Sequence, residues 1–245
     1  MLGPVACDDV GHVVATLMLL ALGFAANAML VLRPLYRARR AASRPVHAST
    51  TSLCLLLLSI CLLSDSLLHH RACWSDWRIF YGLVDNAAHA TIALLSWALT
   101  CTVAFPRLSL RPLEGVAALF TGSLLDLDHF IVAAGWSFRA ATSLSERPFG
   151  HAVAFVAAIA LLTWWTCPVA HRVRAVAFVL ACLLSHHLRD SYRRGLWIAP
   201  VVGSTPPVPY PIYLVLEILL PTSLAFWWRW MERRPHARPE PALIV

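Results

Sequence analysis

Seven apolar runs alternate with short, arginine-bearing polar connections along the chain: 12–32, 51–68, 85–105, 113–134, 150–170, 175–190 and 209–228. A helix needs about 20 predominantly apolar residues to cross the hydrocarbon core of a bilayer. The runs approach that length, and the sixth is the shortest and turns polar at its end. Pro106, Pro112, Pro148 and Pro200 fall between runs, where a missing amide and a ring clash stop a helix easily. The pattern predicts an all-α fold, a polytopic transmembrane helical bundle of about seven spans. It divides the chain into an N-terminal span with an Arg-rich loop (1–50), a membrane-embedded core (51–230) and a tail predicted to be disordered and cytosolic (231–245).

Composition agrees. Only 13% of the 245 residues are charged and 59% are hydrophobic, whereas a soluble domain carries about 25% charged residues. With a mean hydropathy of +0.66, the main partner is the lipid bilayer. All 20 basic residues are arginines, and they sit in clusters between apolar runs. That is membrane-flanking charge, so no nucleic-acid partner is expected. The first, third and fifth connections and the tail hold 13 of the arginines, and the other side holds seven. The positive-inside rule then puts the C-terminus in the cytosol and the N-terminus outside or in a lumen. The leader before the first run carries Asp8 and Asp9 and no positive charge, so that run reads as a retained helix rather than a signal peptide. Cys54, Cys61, Cys101, Cys167 and Cys182 lie in apolar runs as small hydrophobes. Cys7 and Cys73, in polar segments, either pair on an oxidising side or remain free thiols.

Charge inside a span is costly and needs a reason. Asp65 lies near the end of the second run; Asp85, Asn86 and His89 open the third. Asp126, Asp128 and His129 lie towards the end of the fourth, His151 opens the fifth, and His186, His187 and Asp190 close the sixth. Because successive spans reverse direction, all of these fall in one leaflet half. The opposite side offers only His47, His171 and His236. Asp85/His89 and His186/Asp190 are spaced i,i+4 and Asp126/His129 i,i+3, so each pair shares a helix face. Facing helices that carry a carboxylate and a His one turn apart are a known device for binding metals in bundles. Imidazole with carboxylate suits a divalent Zn, Mn or Fe. Asp128 points away from Asp126 in an ideal helix and joins the same centre only if the helix unwinds there. The alternative is a buried polar network that fixes helix packing without metal. Glu217 stands alone in the last run, with no role assigned.

Asp85-Asn86-Ala87-Ala88-His89, Leu125-Asp126-Leu127-Asp128-His129-Phe130, Arg147-Pro148-Phe149-Gly150-His151, Ser185-His186-His187-Leu188-Arg189-Asp190 and Gly195-Leu196-Trp197-Ile198-Ala199-Pro200 occur in that order. Together they resemble the animal transmembrane protein 267 family over residues 52–230. More distantly, the order His, Asp-x-Asp-His, His, Ser-His-x-x-x-Asp is similar to the bacterial LexA-regulated membrane-bound metal-dependent hydrolases. That resemblance implies a metal centre from His89, Asp126, Asp128, His129, His151, His186 and Asp190. The chain departs from the bacterial pattern just before His151, where an additional His is replaced by Ser145, Glu146 or Arg147. The function expected is a membrane-embedded metal-dependent hydrolase of an amphipathic substrate such as a lipid phosphoester. Asp128 is its expected general base, and Arg147 or Arg189 would hold an anionic group. The alternative is a non-catalytic membrane protein with a structural His/Asp core; a transporter or receptor has less support.

Overall fold

A computed structural model describes residues 46–69, 78–105, 110–134, 138–199 and 203–233. The predicted span 12–32, the Arg-rich loop, residues 234–245, Cys7 and Cys73 lie outside the described residues. The main elements are α1 (Val46–His69), α2 (Arg78–Ala104), α3 (Pro112–Leu124), a 3-10 turn (Leu125–Leu127) and α4 (Asp128–Val132). They continue with α5 (Phe138–Ala141), a second 3-10 turn (Phe149–His151), α6 (Val153–Thr166), α7 (Val169–Arg194) and α8 (Tyr210–Arg233). Two short strands, β1 (Trp197–Ile198) and β2 (Gly203–Ser204), form an antiparallel hairpin between α7 and α8.

Five helices among the described residues are long and apolar enough to cross a membrane: Thr50–His69, Ile79–Ala104, Pro112–Val132, Val169–Arg194 and Tyr210–Arg233. The run at 150–170, expected to be a span, is a shorter helix of 14 residues, about 21 Å long against a core of about 30 Å; antiparallel to α7, it still returns the chain so that α7 ends in the same layer as α3. Its apolar run is cut at both ends, by the turn at Phe149–His151 and by Pro168. The sixth run is longer than expected, because α7 carries its polar end on to Arg194. α3 starts on Pro112, whose missing amide costs nothing in a first turn, with Arg111 extended before it.

α2 is the central helix: 78% of its apolar window is buried, against 28% to 39% in the other four long helices. One side packs with α1 and α8 through Leu53, Leu57, Ile92, Leu95, Leu99 and Tyr213. The other packs with α3, α7 and α8 through Ala93, Ala118, Ala177, Ala181 and Ala225. Small residues there let helix backbones approach closely, which replaces the hydrophobic drive that lipid cannot supply. Trp97 and Trp228 fill the far end of this cluster, their rings stacked 5.8 Å apart. Leu55, Phe120, Leu161, Trp165 and Phe226 point outwards and exposed, as lipid-facing positions should.

Candidate metal centre

The ends of α2, α3 and α7 and the turn before α6 deliver the ionisable residues to one layer, as the alternation of spans requires. Three donor atoms face one another there, with a fourth beside His151. His151 Nε2 lies 3.3 Å from His186 Nε2, 3.6 Å from Asp126 Oδ1 and 3.4 Å from Asp190 Oδ2. His186 Nε2 lies 3.5 Å from Asp126 Oδ1. Donors held about 2.1 Å from a common tetrahedral ion are about 3.4 Å apart, so this spacing fits a divalent cation such as zinc.

The other ring nitrogens are anchored. His186 Nδ1 is 3.0 Å from the Gly122 carbonyl; a carbonyl only accepts, so Nδ1 carries the proton and Nε2 presents its lone pair. His151 Nδ1 is 3.3 Å from Asp128 Oδ2, which also accepts the Gly150 amide at 2.8 Å. A carboxylate behind the imidazole in this way fixes the ring's orientation and raises the basicity of its other nitrogen. Gly150 is required, because a Cβ there would sit 2.5 Å from Asp128 Oδ2. Asn86 steadies Asp126, donating to its Oδ2 at 3.2 Å and to the Ser123 carbonyl at 2.9 Å. His151 lies in the turn before α6, outside the five long helices. Burial there lowers its pKa, but the Asp126 and Asp128 carboxylates outweigh burial and raise it to about 10.

The expected site residues therefore fall into distinct places. Asp126, His151 and His186 converge, and Asp190 borders them through His151. His89 lies beside them, its ring stacked on His186 at 3.6 Å and its Nε2 3.5 Å from Asp190 Oδ1. That Nε2 is also 3.0 Å from Arg189 Nη1, so it accepts from a guanidinium. Asp128 and His129 (Oδ1 to Nδ1, 3.1 Å) sit on the Nδ1 side of His151. The helix does tighten between Asp126 and Asp128, through the 3-10 turn, and that turn aims the two carboxylates at opposite nitrogens of one imidazole.

Neither arginine expected to hold an anionic group points into the centre. Arg189 is fully buried and donates to Asp85 Oδ1 and, at 3.2 Å, to Asp65 Oδ1. Arg147 donates to the carbonyls of Arg194 and Gly195, pinning the 147–151 segment to the end of α7. The guanidinium that reaches a donor is Arg193, missed in the sequence: it donates to Asp190 Oδ1 at 2.9 Å and to Asp85 Oδ2 at 3.2 Å. Its signal was its place one turn from both Arg189 and Asp190. The layer thus holds Asp65, Asp85, Asp126, Asp128 and Asp190 against Arg189 and Arg193. That excess of carboxylate, shared with the histidines, is the electrostatic setting in which a cation binds.

Fold and layer together define a multi-pass helical membrane protein with a His/Asp cluster near one face of its bundle. No family model and no solved structure matches the chain. Curated relatives do. It is 36% identical over 143 residues to transmembrane protein 267 of Danio rerio, spanning 57% of this chain and 63% of that protein. It is 34% identical over 172 residues to transmembrane protein 267 of Mus musculus, spanning 68% of this chain and 77% of the relative. The chain belongs to the transmembrane protein 267 family.

Proposed function

We propose that the layer is a divalent-metal centre and that the protein is a membrane-embedded metal-dependent hydrolase of an amphipathic substrate. The observation that carries this reading is the mutual facing of Asp126 Oδ1, His151 Nε2 and His186 Nε2 at 3.3–3.6 Å, with Asp190 Oδ2 3.4 Å from His151 Nε2. A divalent ion held by such donors supplies a bound water acidified to a pKa of about 7. In this reading Asp128 is a positioning residue that orients His151 rather than the general base expected from sequence. A cavity of about 580 Å³ opens beside the layer, lined by Leu62, Leu68, Asp65, Tyr192, Arg193 and Tyr210. That volume falls in the usual range for small-molecule sites, and its mixed apolar and polar wall suits an amphipathic molecule. Arg193 forms part of the wall while gripping Asp85 and Asp190, so it joins the cavity to the layer.

Metal analysis of detergent-purified protein, with His186→Ala alongside, tests the centre. Stoichiometric metal in the wild type that the variant loses is expected; a metal-free wild type after metal reconstitution overturns the reading. Phosphate release from phospholipid vesicles by the metal-loaded protein tests the hydrolase. One observation favours a second, non-catalytic reading: Arg189, Asp65 and Asp85 close a buried ion network with protein groups alone. That reading expects Asp126→Asn to lower stability without the loss of any bound ion.

A further inference from the structure

Glu217 takes no part in the polar layer. It is 0% exposed in the middle of α8, and neither carboxylate oxygen has a hydrogen-bond partner among the described residues. Tyr213, one turn earlier on the same face, and Ser96 of α2 are equally buried, and neither hydroxyl has a nitrogen or oxygen partner among them. Register puts these groups together. α2 and α8 both leave the polar layer in the same direction, and Thr100 Oγ1 donates to the Pro221 carbonyl at 3.3 Å. One turn back on each helix brings Ser96 level with Glu217. Cys61 of α1 packs with Tyr213 in the same cluster. Pro221 adds one more oxygen: it has no amide to give to the carbonyl of Glu217, four residues earlier in the helix.

A lone carboxylate in this setting needs a counter-ion or a proton. Arg189, the buried guanidinium of the polar layer, is already shared between Asp65 and Asp85. Carboxylate, carbonyl and hydroxyl oxygens form a hard donor set that favours s-block cations over the transition metals suited to imidazole. One negative charge balances one positive charge, whereas a divalent ion would leave a net charge buried.

We propose that Glu217, through its carboxylate and its own backbone carbonyl, binds a sodium-like alkali cation together with Ser96 and Tyr213, in the core between α1, α2 and α8. The site is separate from the His/Asp layer and independent of the hydrolase reading. It ties α8 to α2 at the turn that Pro221 weakens, so occupancy is read as stability. The test uses the full chain in detergent, treated with EDTA to empty the His/Asp layer. It compares unfolding in sodium chloride with unfolding in choline chloride at equal ionic strength.

Sodium is expected to raise the Tm saturably. Glu217→Gln, neutral and of equal size, should lose that dependence, and Ser96→Ala should raise the half-saturating sodium concentration several-fold. Coincident wild-type curves in the two salts, or a sodium shift retained in Glu217→Gln, overturn the proposal. So does a protonated-carboxyl infrared band in saturating sodium that Glu217→Gln removes, since a proton would then be the countercharge. If Glu217→Gln does not fold, the Ser96→Ala titration decides, and an unchanged midpoint overturns the site.

Discussion

Asp126 and Asp128 are two residues apart and both touch His151, yet replacing each with Asn should have different consequences for metal binding. Asp128 Oδ2 accepts the Gly150 amide at 2.8 Å and faces His151 Nδ1 at 3.3 Å, while Oδ1 faces His129 Nδ1 at 3.1 Å. Asn keeps the shape and one acceptor, but its amide nitrogen cannot accept. His151 or His129 then loses its partner, and His151 is free to turn or to carry its proton on Nε2, the nitrogen that faces the other donors. Loss of such an orienting partner lowers metal affinity about 10- to 100-fold, or about 1.4–2.8 kcal/mol. Asp126 Oδ1 itself faces His151 and His186 at 3.6 and 3.5 Å; Asn there loses the charge, and Asn86, which donates to Oδ2, favours turning the amide nitrogen towards the other donors, so Asp126→Asn should cost more than Asp128→Asn. Competition titration of purified protein against a chromophoric chelator measures both variants directly. The opposite order, with Asp128→Asn abolishing stoichiometric metal and Asp126→Asn retaining it, would refute the assignment. The centre would then lie among Asp128, His129 and the Nδ1 side of His151.

Other consequences are equally direct. A Cβ at Gly122 would stand 2.6 Å from the Ala93 Cβ and 2.7 Å from the His89 carbonyl oxygen. Gly122→Ala must therefore push α3 off α2, at about 1–3 kcal/mol, read as a lower Tm; an unchanged melt contradicts the close contact. Arg189→Met strands Asp65 without its buried partner, while Asp85 keeps Arg193, and should cost about 3–5 kcal/mol, with part recovered when Asp65→Asn is added in the same chain. Because His151 holds its proton up to about pH 10 in the metal-free protein, metal must displace that proton throughout the neutral range. Affinity should therefore rise with pH, by up to about ten-fold per unit. Calorimetry in two buffers of different ionisation heat should register the proton released, and equal heats would exclude His151 as a donor.

The sequence already placed this layer, for a reason that does not depend on side-chain detail. Alternating direction sends the start of α2, the end of α3, the turn before α6 and the end of α7 to one side. The i,i+4 spacings of Asp85/His89 and His186/Asp190 then turn each pair inwards. Apolar runs also located five long helices, since length and hydropathy suffice to identify a helix that can cross a bilayer. The same reasoning overextended the run at 150–170, where the apolar pattern continues through a turn and ends at Pro168.

Individual roles were less legible, because they depend on which partner a side chain meets on another helix. Arg189 and Arg193 lie one turn apart on α7, and spacing alone gives both the same face. Across that face, Asp65 of α1 and Asp85 of α2 take Arg189 out of reach of any ligand, while Arg193 spans Asp85 and Asp190 at the cavity wall. Asp128 followed the same logic through its backbone. Asp-x-Asp-His reads as three ligands in a row, but the 3-10 turn sets the two aspartates on opposite edges of His151. A motif of alternating carboxylates at a helix end therefore predicts membership of a polar layer better than it predicts which carboxylate faces a cation.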